Sequence, residues 1–203
     1  MHNLNYKNNK YLIYIMLACT FIACKETVFV PKPRMYPKIS FPEYILVKYE
    51  SETCPFKFQY ASYANAIKDT SFFGEKPVND CWINLQMDVF QGTLHCSYLP
   101  IVKTDDLTKY IKDSYKLARE HQIKANFIDE IPIHKTNHVN GILYNLEGPT
   151  ASSFQFYLTD SSKHFLRASL YFNAQTRPDS MQPILDFVKK DVMTIINTFE
   201  WRY

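Results

Sequence analysis

From Phe56 to Tyr60 the side chains alternate apolar, polar, apolar, polar, aromatic. That is the period of a strand with one buried face. In residues 82–89, Leu85, Met87 and Val89 fall on one side, and Asn84, Gln86 and Asp88 on the other. Gly92 follows, and then Leu94, Cys96 and Tyr98 alternate with Thr93, His95 and Ser97, so the two runs predict a hairpin. Thr104-Asp105-Asp106 supplies a cap and two early acids for a helix. Its buried stripe is Leu107, Ile111, Ser114, Ala118 and His121, with Lys109, Lys112, Asp113, Lys116 and Glu120 turned away. Strands are predicted over 123–134, 139–146, 153–159 and 164–172, the last two joined by the polar loop Asp160-Ser161-Ser162-Lys163. A closing helix over about 180–199 buries Met181, Leu185, Val188, Val192, Ile195 or Ile196, and Phe199. Runs of adjacent strands imply an α+β fold: a mostly antiparallel sheet of about six to seven strands with helices packed on its faces.

The amino-terminal pattern is different. Residues 1–10 are polar and carry Lys7 and Lys10, and residues 11–23 form an apolar run of thirteen. A basic start, a short greasy segment and a small residue before the cut describe a secretory signal peptide over 1–23. The run is short of the roughly 20 residues that span a bilayer. Ala18 and Ala23 each precede a cysteine. Cleavage before Cys24 leaves a full apolar segment, so Cys24 is the expected lipidation site, with Cys19 as the alternative. Phe21-Ile22-Ala23-Cys24 resembles a bacterial lipoprotein box, in which the thiol takes a diacylglycerol and the freed amine a further acyl chain. Several chains at about 0.8 kcal/mol per buried methylene make a durable anchor. Residues 24–52 are read as the acylated end and a tether stiffened by Pro31, Pro33, Pro37 and Pro42, and residues 53–203 as one globular domain. Lys32 and Arg34 in the tether suit anionic headgroups or a partner, or simply solubilise a spacer. Lys25-Glu26 resembles the surface-export tags of Bacteroidetes lipoproteins, and reads equally as ordinary linker.

Composition narrows the chemistry. A net charge of +3 gives no case for nucleic acid. The four glycines, Gly74, Gly92, Gly141 and Gly148, are too dispersed for a phosphate-binding loop. His134 and His138 are spaced as helical zinc ligands would be, but they fall on a strand–turn–strand with no third ligand beside them. Asp160, Ser161, Ser162 and His164 contain hydrolase residue types in what reads as a hairpin turn. Asp129 and Glu130 are adjacent on a strand and point apart. No catalytic residue, metal or cofactor is therefore assigned. Cys96 reads as core, and Cys54 and Cys81, both flanking strands, are the candidate disulfide pair.

Four stretches carry a family resemblance: Pro31-Lys32-Pro33-Arg34, Ser114–Ala125 (SYKLAREHQIKA), Gly141–Gly148 (GILYNLEG) and Gln155–Phe172 (QFYLTDSSKHFLRASLYF), with Phe199-Glu200-Trp201 at the end. In this order they resemble the gliding-motility lipoprotein GldD family of Bacteroidetes. Met35 and Ala168 stand where the family commonly has glycine. The layout also resembles the α/β/α sandwich of PsbP/Mog1-like domains. The resemblance implies a non-enzymatic accessory lipoprotein of gliding motility and type IX protein secretion. Its partners are the membrane, through Cys24, and other gliding and secretion proteins of the envelope. The expected location is the cell envelope, at the outer membrane, on its periplasmic side or surface. The expected contact surface comprises Lys163, His164 and Arg167 together with the basic tether. The competing reading is a periplasmic ligand-binding or enzymatic domain with an apolar pocket between sheet and helices.

Overall fold

The computed structural model describes residues 39–71, 76–173 and 178–203. Along them run β1 (Leu46–Glu50), β2 (Phe56–Ala61), β3 (Asn65–Lys68), β4 (Ile83–Met87) and β5 (Gly92–Pro100), then α1 (Asp106–Arg119). There follow β6 (Phe127–Lys135), β7 (Val139–Glu147), β8 (Ser152–Thr159), β9 (His164–Phe172), α2 (Pro178–Thr198) and β10 (Glu200–Trp201). Strands β3-β4-β5-β9-β8-β7-β6 form a seven-stranded sheet, and β1-β2-β10 a three-stranded one. All pairings are antiparallel. The large sheet has α1 on one face and both α2 and the small sheet on the other, giving the α+β class that the alternation predicts.

Alternation decides which side chain meets which layer. On β8, Phe154, Phe156 and Leu158 join the core shared with Val188, Val192, Ile195 and Ile196 of α2. Tyr157 points the other way, into a smaller cluster with Phe165, Tyr144, Leu146 and Ala118 of α1. Aromatic rings fill the larger core: Phe56 and Phe58 stack on Phe199 at 5.8 and 6.4 Å, and Trp201 meets Phe199 edge-on at 4.7 Å. Each fully buried ring of this size contributes about 1.5–3 kcal/mol. The Cys54–Cys81 disulfide, with Cα atoms 5.5 Å apart, joins the approach to β2 in the small sheet to the approach to β4 in the large one. Cys96 is free and buried, and burial pushes its thiol up to about 12.

Four expectations change. Residues 46–50, read as the end of the tether, are β1; Val47 and Tyr49 turn inward and Tyr49 stacks on Phe58 at 5.1 Å. The strand expected from Ile123 begins at Phe127. Residues 120–123 continue α1 as a 3-10 turn, closed by the Lys124 and Ala125 N–H groups donating to the His121 carbonyl, and Ile123 is 94% exposed. Thr104 does not cap α1. The Asp106 carboxylate instead reaches back and accepts from the N–H groups of Val102 and Lys103, at 3.0 and 2.7 Å. Finally, the short strands β3 and β10 have no counterpart in the sequence reading.

The end of α2 has no basic residue in its last turn. Lys135, from β6, supplies the missing donors: its Nζ reaches the carbonyls of Ile196, Asn197 and Phe199 at 3.0, 2.8 and 2.7 Å. Nearer the middle of α2, Asp191 is 3% exposed and accepts a hydrogen bond from the Tyr63 hydroxyl, while its Oδ1 has no partner.

Gly141 is fixed by close approach. A Cβ there would lie 1.8 Å from the Tyr157 carbonyl oxygen across the β7–β8 pair, whereas at Gly92 it would meet only the movable Phe172 ring at 2.9 Å. Gly141→Ala is therefore expected to cost at least about 1–3 kcal/mol in urea-melt stability, and more than Gly92→Ala. The Asp191 carboxyl gives a second test. Burial raises it above the usual carboxylate range, against the Tyr63 hydrogen bond and the nearby Tyr44 hydroxyl, which lower it. A raised acid stabilises the fold while protonated, and that contribution is lost as pH rises from the unfolded value near 3.9 through the folded one. Asp191→Asn is expected to gain melting temperature relative to the native chain between pH 4 and 7. An unchanged difference across that range would contradict the assignment.

Candidate functional site

Strand register draws six polar or phenolic side chains into one line across the large sheet. Glu130 pairs with Tyr144, Tyr144 with Gln155, Gln155 with Ser169, Ser169 with His95, and His95 with Asn84. Register partners share a face, so this belt runs from β6 to β4 on the α1 side. At its centre Tyr144, Gln155 and Ser169 are 2%, 1% and 3% exposed. Burial pushes the Tyr144 hydroxyl up, so it stays protonated.

Arg167 sits beside the belt on the same face, two residues before Ser169. Its Nη2 donates to Gln155 Oε1 at 2.6 Å. No carboxylate stands within 4 Å of it among the described residues; Glu120 acts on it only at a distance. Burial lowers the Arg167 guanidinium, which nonetheless stays charged. Among the described residues, three buried polar atoms around this layer lack a hydrogen-bond partner: Gln155 Nε2, Ser169 Oγ, and Ser114 Oγ on α1. Tyr171, also on this face, lies 5.9 Å from the His95 ring and 6.1 Å from His121. Burial lowers both histidines, keeping them neutral near pH 7. At the ends of the belt the groups satisfy one another: Arg119 of α1 pairs with Glu130 at 3.3 Å, and His95 Nδ1 meets Asn84 Oδ1 at 2.7 Å.

The residues expected to form a contact surface are divided. Cys24, Cys19, Lys32 and Arg34 lie outside the described residues. Lys163 is exposed at the tip of the β8–β9 hairpin. His164 is half-buried, with Nδ1 2.7 Å from the Tyr98 hydroxyl and its ring stacked 5.2 Å from Trp201. Arg167 is an odd number of residues from His164, so the two point to opposite faces and share no surface. His134 meets Asn140, at 3.2 Å, and His138 takes a left-handed turn at φ 57°. Among the described residues no cluster of three or more histidine, cysteine, aspartate or glutamate side chains could hold a metal ion. A cleft of about 340 Å³ does open between α2 and the β7–β8 end, but polar groups dominate it, among them Asn126, Asn145, Glu147, Asp186 and Lys189. It is not the apolar chamber that the ligand-binding reading expects. The alternation in the sequence shows Gln155 and Ser169 only as polar members of mostly apolar strands. Their alignment is a property of pairing, which alternation does not specify.

The hairpin tip is itself a built feature. Asp160 Oδ1 accepts from the N–H groups of Ser162, Lys163 and His164 at 3.0, 2.8 and 2.8 Å, and its Oδ2 from the Ser162 hydroxyl at 3.1 Å. Burial alone would raise the Asp160 carboxyl, but these hydrogen bonds outweigh it and hold it below the usual range. The stabilisation is therefore present above the unfolded value and lost as pH falls through the folded one. Asp160→Ala is expected to cost about 1–3 kcal/mol at pH 7, shrinking toward acid pH, by chemical denaturation at several pH values.

No curated protein matches the chain. Among solved structures, the solution structure of cyanobacterial PsbP (CyanoP) from Synechocystis sp. PCC 6803 aligns with a TM-score of 0.46 and 13% identity, covering 77% of this chain and 92% of that one. The family model described as gliding motility lipoprotein GldD matches residues 26–201, most of the length and every described element, and the chain belongs to that family.

Proposed function

We propose that the protein is an accessory lipoprotein of the gliding and type IX secretion machinery, held to the outer membrane through Cys24. It acts by docking on other envelope proteins rather than by chemistry of its own. The observation that carries this reading is the family match over residues 26–201. The amino-terminal pattern agrees: a basic start, a thirteen-residue apolar run and a small residue before Cys24. No helix among the described residues is long and apolar enough to cross a membrane. Both faces of the large sheet are packed, so the domain offers partners its rims and loops, with Lys163 set on a rigid turn.

The test is affinity capture of the acylated chain from its own envelope, in parallel with Cys24→Ser and Lys163→Glu. The native chain is expected in the membrane fraction with specific envelope partners. Cys24→Ser is expected to be unprocessed and free of lipid by intact mass. Lys163→Glu is expected to fold normally and to recover at least about threefold less partner. Recovery of no envelope partner above background by the native chain would overturn the docking reading.

A further inference from the structure

We propose that Arg167, Gln155 and Ser169 form a binding site for one oxyanion, the carboxylate or phosphate group of a ligand, beneath α1. This goes beyond the docking reading and stands without it. The argument begins with the amide of Gln155. Because Arg167 donates to its Oε1, the orientation of that amide is settled, and Nε2 is the end left over. Nε2 is a donor only, and it is buried without an acceptor. The Ser169 hydroxyl, directly across the β8–β9 pair from Gln155, is buried and unpartnered as well. Arg167, half-buried, brings further N–H donors, and Gln155 is its one hydrogen-bond acceptor among the described residues. The group therefore holds an excess of donors and a positive charge, and lacks an acceptor.

A buried donor without an acceptor costs about 1–3 kcal/mol, more when charged. Water could satisfy the donors but not the charge. An oxyanion satisfies both, since a guanidinium presents a planar fork that fits carboxylate and phosphate oxygens. The less covered side of the site is towards β5, where Thr93, His95 and Ser97 continue the same face and are only half-buried. Tyr171 and His121 lie on this side, while the far end carries the Arg119–Glu130 pair. Ser114 Oγ, buried on the sheet-facing stripe of α1, adds a further unpartnered hydroxyl to the layer.

The test uses the full acylated chain in detergent, labelled at arginine, and follows the five arginine Nε–H resonances by NMR. Sodium phosphate, sodium acetate and sodium chloride are titrated separately at constant ionic strength. Phosphate or acetate is expected to shift one arginine resonance saturably, with a dissociation constant at or below about 10 mM. The arm that saturates identifies the source, a phosphate group or a carboxylate. Chloride should produce no saturable shift. Gln155→Glu is nearly isosteric and supplies Arg167 with an internal carboxylate. It is expected to keep the fold, as shown by an unchanged backbone spectrum, and to weaken the anion response at least about tenfold. Arg167→Lys should remove the responding resonance. Saturation by neither anion in the native chain would overturn the site, as would an undiminished response in a folded Gln155→Glu chain.

Discussion

Strand β8 is buried along its whole length, on both faces. From Gln155 to Thr159 it is paired with β7 on one side and β9 on the other, and every side chain has to suit an interior. On the α2 face this is met by Phe154, Phe156 and Leu158, which pack against apolar neighbours. On the α1 face the same strand carries Gln155, Tyr157 and Thr159. The fold thus places an amide at the middle of its most protected strand, and a burial penalty of that kind persists only when partners offset it. Arg167 offsets half of it, through Oε1, and the other half stays open. The polar belt is therefore a consequence of strand order: any residue opposite Gln155 becomes part of the same buried layer.

The other face is dominated by a different requirement, that of holding a second sheet. Strands β1, β2 and β10 number few residues, and a sheet of three short strands is marginal without cover. The Phe56–Phe58–Phe199 stack provides the cover, and the Cys54–Cys81 bridge ties its near end to the large sheet. The chain leading into β1 is secured in the same way. Phe41 stacks on Phe187 of α2 at 4.6 Å, and the Tyr44 hydroxyl meets Thr194 at 2.8 Å. The chain is thereby fastened to α2, the helix with the most buried stripe, before it enters either sheet.

How much of this was legible depended on whether the signal was local. The boundaries of β9 and the buried stripes of both helices follow from side-chain periods alone, because a hydrophobic face repeats at the period of its own element. The tether reads too long in the sequence because Leu46-Val47-Lys48-Tyr49-Glu50 is an edge strand with two of its three outward positions charged, and its alternation is shallow. Ile123 misled for the opposite reason, since an isoleucine that reads as the start of a strand stands on a turn in solvent. The belt depends on register between strands remote in sequence, as His95 and Ser169 are, and composition holds no record of register. Lys163, His164 and Arg167 look like one basic patch in the sequence. Their parity separates them, and parity was readable in advance once β9 had been recognised.

Edge strands restrict how a partner can dock. The large sheet ends in β3 and β6, and an open edge ordinarily invites another strand. On β6 this is countered from within. Pro132, at its middle, has no N–H to offer, and Lys135, at its end, is occupied by the carbonyls of α2. Phe127 and Ile131 on the same strand remain 60% and 36% exposed. The edge thus keeps apolar side chains while its backbone is a poor template for strand addition. A partner approaching there would bind through side-chain packing, which tolerates sliding and exchange better than a shared ladder of hydrogen bonds.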